Sequence, residues 1–215
     1  METLIPIKDA LRLVARGYKE KSIRVAEVEC LVTDYFSYQV VIPRGTEFGG
    51  FFSDGGWLDV LRDIRTFPWY SRKLGGCSHS GFYKGARGIV YKGLFGLLRR
   101  EKPILFLGHS LGGALALNAA ALLEKEGFEV AGVITFGSPR TFTRGLAKKI
   151  NRKRNYPVWQ FKNPEDTITK LPLKWWGFAH LNPMLTDREP KGKGFIDGIK
   201  CNHMLPHYME AFEDV

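Results

Sequence analysis

The apolar run Ile104-Leu105-Phe106-Leu107 passes directly into Gly108-His109-Ser110-Leu111-Gly112 and then into the Ala/Leu-rich stretch from Gly113 to Leu123. Consecutive apolar residues bounded by turn formers fit a strand buried on both faces, and the stretch beyond has the length and composition of a buried helix. A chain passes from strand to helix in so few residues only through a sharp turn, which a Gly-x-Ser-x-Gly sequence supplies. The glycines let the backbone run close on either side of a serine held in a strained conformation. The serine is then exposed at the apex, and the new helix aims its first amides at whatever binds there. An ordinary glycine-rich turn between strand and helix is the competing reading of the same five residues.

The flanking sequence repeats this alternation. Val130 to Phe136 reads as another continuous apolar strand and Val158 to Phe161 as a further strand, with Thr143 to Ile150 as a helix between them, and the helix from Ser110 to Lys125 is closed by Gly127. Upstream, Ile7, Leu11, Val14 and Ala15 mark one face of a helix over Pro6 to Tyr18. Ile23 to Tyr35 and Tyr38 to Ile42 read as paired strands meeting near Phe36-Ser37. Trp57 to Ile64 fits a short helix, and Gly81 to Leu98 a weaker one interrupted by glycines. From Asp166 to Gly198 no periodicity holds, which predicts loops and hairpins; Pro206 to Phe212 predicts a last helix with proline in its first turn. The whole predicts an α/β fold: a mostly parallel central sheet flanked by helices, in one domain over residues 1–215, with no repeat or linker to divide it. Ligand groups in such folds collect at the C-terminal strand ends, where Thr46, Ser110 and Asp166 fall.

With 32 Lys+Arg against 22 Asp+Glu the net charge is +10, which favours anionic partners such as acidic lipid, cell-wall polymer or nucleic acid. Nucleic-acid binding has no aromatic-basic motif or zinc module behind it. The run Arg140, Arg144, Lys148, Lys149, Arg152, Lys153 and Arg154 reads as a solvated helix face, with docking to acidic lipid as the rival reading. Cys30, Cys77 and Cys201 imply neither a disulfide framework nor a metal site, since Cys201, His203 and His207 have no second group of ligands. The N-terminal residues show no secretory signal, and no apolar run spans a bilayer, so the default compartment is the cytoplasm, with non-standard export or lysis left open. Nothing in the sequence indicates an oligomeric state.

A serine nucleophile needs an imidazole to take its proton and a carboxylate to orient that imidazole. Where the nucleophile sits on such a turn, the acid and then the histidine follow it in the chain. That order leaves His180, His203 and His207. His203 precedes the last helix in a loop able to reach over the serine, whereas His207 lies within that helix. Asp166 stands just after a strand end in Asn163-Pro164-Glu165-Asp166, with Asp187 and Asp197 as rivals and a helix or turn cap as its plainer role. For the oxyanion, the Leu111 amide is one candidate donor, and Thr46, in Arg44-Gly45-Thr46, the other.

Taken together these pieces resemble the class 3 lipases, typified by fungal triacylglycerol lipases, a likeness that implies the α/β-hydrolase fold. The likeness runs from about Tyr38 to Tyr208. Arg44-Gly45-Thr46 is similar to that family's oxyanion motif, His79-Ser80-Gly81-Phe82 to H-x-G-F, and Gly108 to Ala114 to G-H-S-L-G-G-A. Trp57-Leu58-Asp59 with Asp63, and Phe136-Gly137-Ser138-Pro139-Arg140, also follow its pattern. Asp166-Thr167-Ile168 with Leu171-Pro172 resembles the segment carrying its aspartate, and His203 with Tyr208 the one carrying its histidine. The resemblance implies ester hydrolysis through an acyl-serine, without metal or organic cofactor, by Ser110, Asp166 and His203 with Thr46 and Leu111 as oxyanion donors. It makes His79 and His180 structural. The implied substrate is a lipid ester at a membrane or lipid–water interface: a glyceride, or a phospholipid cleaved as by a phospholipase A1. A non-catalytic scaffold binding lipid or protein is the alternative. In those relatives the segment after R-G-T forms a lid; here Phe48, Phe51 and Phe52, among Gly49, Gly50, Gly55 and Gly56, suit a mobile apolar flap, or simply a surface loop. Pro43 departs from the apolar residue that usually precedes R-G-T, and the missing secretory signal and disulfides argue against extracellular digestion.

Overall fold

The computed structural model of the chain describes residues 3–20, 23–25, 28–44, 67–186 and 202–212. Three strands, β1 (Ile23–Val25), β2 (Val28–Tyr35) and β3 (Tyr38–Pro43), follow helix α1 (Ile7–Lys19). Next come β4 (Pro68–Ser71), β5 (Gly76–His79) and helix α2 (Ser80–Ile89). The central alternation is β6 (Ile104–His109), α3 (Leu111–Lys125) and β7 (Val130–Phe136). It continues through β8 (Phe142–Thr143), α4 (Arg144–Lys153), β9 (Val158–Phe161) and β10 (Phe178–Ala179) to α5 (Leu205–Ala211).

The main sheet has six strands in the order β1-β2-β3-β6-β7-β9. β3, β6, β7 and β9 are parallel neighbours, and β1-β2-β3 form an antiparallel edge. The expected single strand over Ile23 to Tyr35 is two, because Val25 pairs with Val28 and the chain reverses between them. The other expected reversal lies where the sequence puts it: Tyr35 pairs with Tyr38 across a two-residue turn, with Phe36 at φ 50°.

β6 explains the apolar run. Leu105 and Leu107 face a cluster containing Leu11, Val14, Ile42, Tyr208 and Phe212 from α1, β3, α5 and its end. Ile104 and Phe106 face the opposite cluster, which holds Ile89 of α2 and most of α3. Side chains alternate across a strand, so a strand covered on both faces is apolar at every position. Helix α3 is buried from Gly112 to Leu123 and so is apolar all round rather than along one stripe.

A second, antiparallel sheet, β10-β8-β5-β4, lies outside this frame and was not legible in the sequence. Its strands have two to four residues, at most two periods of alternation. The glycine-interrupted helix after Ser80 is α2 continued by a π-helical turn, Val90–Leu94, and a last turn, Phe95–Leu97. Among the described residues no helix is long and apolar enough to cross a membrane. Thr46, Phe48, Phe51, Phe52, the Trp57 to Ile64 segment, Asp187, Asp197 and Cys201 lie outside the described residues.

Candidate active site

Ser110 joins β6 to α3 with φ 54° and ψ −127°. A left-handed backbone at a non-glycine residue costs about 1–2 kcal/mol and persists only where the surroundings impose it. Here the Ser110 N–H donates to Phe136 O at 2.9 Å, clamping the turn to the neighbouring strand. Gly108 is required by close approach, since a Cβ there would stand 2.6 Å from the backbone of Gly112 and Gly113. The first intrahelical bond runs from Gly113 N–H to Ser110 O at 3.0 Å, which leaves the Leu111 amide without a helical acceptor at the positive end of α3. The expectation of an exposed serine needs correction. Ser110 is 2% exposed: the His203 imidazole is seated on its oxygen, and the adjoining Leu111 packs, as Leu171 does, against Phe82 and Ala114.

His203 Nε2 lies 2.8 Å from Ser110 Oγ, and its Nδ1 lies 2.9 and 3.0 Å from the two Asp166 oxygens. A carboxylate only accepts, so Nδ1 carries the proton and Nε2 is left to accept from the serine hydroxyl. Asp166 is itself held by two further donors: Ile168 N–H to Oδ1 at 3.0 Å and the Tyr208 hydroxyl to Oδ2 at 2.6 Å. Burial and the adjacent carboxylate push the Tyr208 phenol well above its usual range, so it stays a donor. Its oxygen accepts in turn from Asn163 N–H at 3.0 Å.

Local sequence explains how these groups meet. After β9, Glu165 adopts φ 58° and turns outward to Lys170 at 2.5 Å, which leaves Asp166 facing in. Asn163 Nδ2 donates to Asn202 O at 2.9 Å, tying this turn to the loop that carries His203. The His109 ring, buried beside His203 at a centroid distance of 4.9 Å, donates from Nε2 to the His203 carbonyl at 2.7 Å. Burial, with His203 close by, lowers its pKa to about 3, so it is a neutral strut. Gly137, at φ 61°, passes directly beneath the pair: a Cβ there would lie 2.9 Å from Asp166 Oδ2, 3.0 Å from the Tyr208 oxygen and 3.1 Å from His203 Nδ1.

The other histidines are elsewhere. His180 bonds Thr169 O at 2.9 Å and approaches Gln160, and burial lowers its pKa to about 4. His79 stacks on Phe82 at 3.9 Å and accepts its N–H at the start of α2. His207 is partly exposed near Glu210. Among the described residues no group of three His, Cys, Asp or Glu side chains is placed to hold a metal. Sequence reasoning missed the parts played by His109, Gly137, Asn163 and the Tyr208 hydroxyl. Gly137 did leave a signal, a glycine directly after an apolar strand at the rim where the acid was sought.

A parallel sheet with a strained serine between strand and helix, backed by a buried imidazole and carboxylate at the strand ends, has the architecture of an α/β hydrolase. Solved lipases share the fold. Rhizopus niveus lipase II superposes with a TM-score of 0.66 at 18% identity, over 81% of this chain and 77% of that one. The Rhizomucor miehei lipase–propeptide complex gives 0.63 at 21% identity, over 80% and 64%. Residues 40–175 match the family model for lipase (class 3), and the chain belongs to that family. The secreted mono- and diacylglycerol lipase A of Penicillium cyclopium is 36% identical over 159 residues, 71% of this chain and 49% of that protein. The chain thus spans about half the length of the curated relatives it matches. Their names also correct one expectation: relatives from Penicillium cyclopium and Gibberella zeae are both named as secreted, which points to the extracellular side and overturns the cytoplasmic default.

Proposed function

We propose that this protein is a serine carboxylic-ester hydrolase acting on lipid esters, with Ser110 as nucleophile, His203 as general base and Asp166 as the group that orients it. The observation that carries this reading is the unbroken chain of contacts from Ser110 Oγ through the His203 ring to Asp166, at 2.8 and 2.9 Å. His203 takes the hydroxyl proton as Ser110 attacks the ester carbonyl, and Asp166 stabilises the imidazolium that results. The oxyanion meets the Leu111 amide. Thr46 is the second donor proposed; it follows β3, whose end lies beside that of β6 through the pairing of Val41 with Phe106. His203 then hands its proton to the departing alkoxide, and water attacks the acyl-serine by the same steps. Mono- and diacylglycerols are the proposed substrates, as they are in the names of the Penicillium relatives.

The test is covalent labelling by a serine-directed phosphonate, together with hydrolysis of p-nitrophenyl esters, mono-, di- and triacylglycerols and phospholipids. Ser110→Ala should abolish labelling and lower turnover by about 10⁵–10⁶. Wild-type protein that takes no label, or a Ser110→Ala variant that keeps its activity, would remove the reading; release of fatty acid from phospholipid alone would redirect it to a phospholipase A1.

A further inference from the structure

The rim that carries Asp166 continues into a segment whose surface the ester-hydrolase reading leaves unused. One 3₁₀ turn, Lys174–Trp176, holds Trp175 at 78% and Trp176 at 46% exposure. Indoles contribute large apolar area and are usually withdrawn from water, so two in succession on the surface need a reason outside folding. Their support is stiff. Arg140 donates its backbone N–H to Leu171 O at 2.6 Å and its guanidinium to Pro172 O at 2.8 Å and to Lys170 O. Arg144 donates its N–H to Gly177 O at 2.9 Å and its guanidinium to Lys174 O at 2.8 Å, and β10 pairs with β8 just beyond. At its other end the segment reaches the site. Thr169 donates its hydroxyl to Asp166 O at 2.7 Å, and Leu171 packs on the same Phe82–Ala114 cluster as Leu111, the neighbour of Ser110.

Helix α4 starts beside this turn and carries charge of a single sign away from it. Its sequence, RGLAKKINRK, contains no acidic residue. Leu146, Ala147 and Ile150 are buried, so Arg144, Lys148 and Arg152, spaced four apart and exposed, form one stripe that begins next to Lys174. Among the described residues Lys148 and Arg152 make no ion pair, and Glu165 on the same rim is engaged by Lys170. Tryptophans that settle at headgroup depth, with lysine and arginine reaching phosphates beside them, are the composition of a surface that rests on an anionic bilayer. A polynucleotide would draw on the cations wherever they lay; a bilayer gives a reason for the indoles to border the rim of Ser110.

We propose that Trp175, Trp176 and the Arg144-Lys148-Arg152 stripe form a docking surface for anionic phospholipid headgroups, which seats the Ser110 rim on lipid. The proposal rests on the ester-hydrolase reading for its purpose, but binding is measured without turnover. In the Ser110→Ala background, co-sedimentation is compared for vesicles of phosphatidylcholine and for an equal mixture of phosphatidylcholine and phosphatidylglycerol. The protein should prefer the mixed vesicles and show a blue shift of tryptophan emission on them. Trp175→Ala/Trp176→Ala should lower partitioning at least ten-fold and remove most of the blue shift. Lys148→Glu/Arg152→Glu should cut the anionic preference by at least about 25-fold, taking five-fold for each cation lost, equivalent to about 1 kcal/mol, before any repulsion by the two new carboxylates. With Ser110 restored, both variants should hydrolyse a dissolved short-chain p-nitrophenyl ester like wild type. Trp175→Ser alone, at the more exposed position, serves if the double variant does not fold. Undiminished vesicle binding by the tryptophan variants, a retained anionic preference in the charge-reversed variant, or binding to duplex DNA that matches vesicle binding and ignores the tryptophans would each overturn the proposal. Failure of every ester in the panel would instead sink the hydrolase reading while leaving the partitioning result intact.

Discussion

Gly137→Ala tests whether the buried pair is positioned by the backbone beneath it. The added methyl would sit 2.9 Å from Asp166 Oδ2, 3.0 Å from the Tyr208 oxygen and 3.1 Å from His203 Nδ1, each a few tenths of an ångström inside ordinary contact. All three atoms are ends of hydrogen bonds, so relief must come from the pair itself. The left-handed φ of 61° adds its own penalty for any residue with a Cβ. Together, backbone strain and overpacking should cost about 2–5 kcal/mol, or roughly 5–20 °C in Tm for a chain of this size. The chemistry should suffer separately. Reacting groups tolerate about 0.5 Å of misplacement and lose about 10² in rate for 1 Å, so kcat on a dissolved p-nitrophenyl ester should fall about 10–100-fold with KM little changed. Gly145→Ala is the control: nothing lies within 4 Å of the added Cβ on the exposed second residue of α4, and alanine should add up to about 1 kcal/mol there by helix propensity. A Gly137→Ala protein with wild-type kcat and a lowered Tm would show that the pair is positioned by something other than this glycine.

Asp166→Asn should keep the fold but lower kcat by about 10⁴, since an amide cannot hold His203 in the required tautomer; a loss under ten-fold in steady-state kinetics would point to another acid. Tyr208→Phe removes a donor from Asp166 Oδ2 and the acceptor of Asn163 N–H, so urea unfolding should show a loss of about 2–4 kcal/mol. Turnover should fall less than ten-fold, because His203 still bonds both carboxylate oxygens; unchanged stability would refute the assignment. Burial, with His203 adding to it, holds His109 at about 3, and burial holds His180 at about 4, both below the free value of 6.5. Between pH 6.5 and about 4 the unfolded chain therefore binds more protons than the folded one, and stability should drop as the pH is lowered, by up to about 1.4 kcal/mol per unit for each site. His109→Gln, which keeps a donor for the His203 carbonyl, should flatten that slope by one site's share, as read from urea midpoints across the window; an unaltered slope would contradict it.

What could be read from residues alone follows from how each element is buried. β6 and α3 declared themselves because both are covered on every side and so carry almost unbroken apolar sequence, Asn118 being the exception in the buried part of α3. β7 was legible for the same reason; the edge strand β9, interrupted by Gln160, showed only as a short β-forming run before Asn163-Pro164, which put Asp166 at a strand end. Chain order narrowed the histidines, and the loop before α5 favoured His203. The short sheet β10-β8-β5-β4 was not readable, since two residues such as Phe142 and Thr143 cannot display an alternation. The reversal between β1 and β2 was hidden because both sides of it are β-formers. Contacts made by shape rather than composition were also invisible: the space under Asp166 that excludes a methyl at Gly137, the reach of the Tyr208 hydroxyl, and the closure of the rim over Ser110.

Ser110 and His203 are separated by 93 positions, and α5, which packs its Tyr208 and Ala211 with Leu11 and Val14 of α1, follows the histidine at once. A ribosome therefore delivers the hydroxyl long before the base that would sharpen it. Until α5 settles against α1, the serine proposed as nucleophile has no imidazole seated on its oxygen.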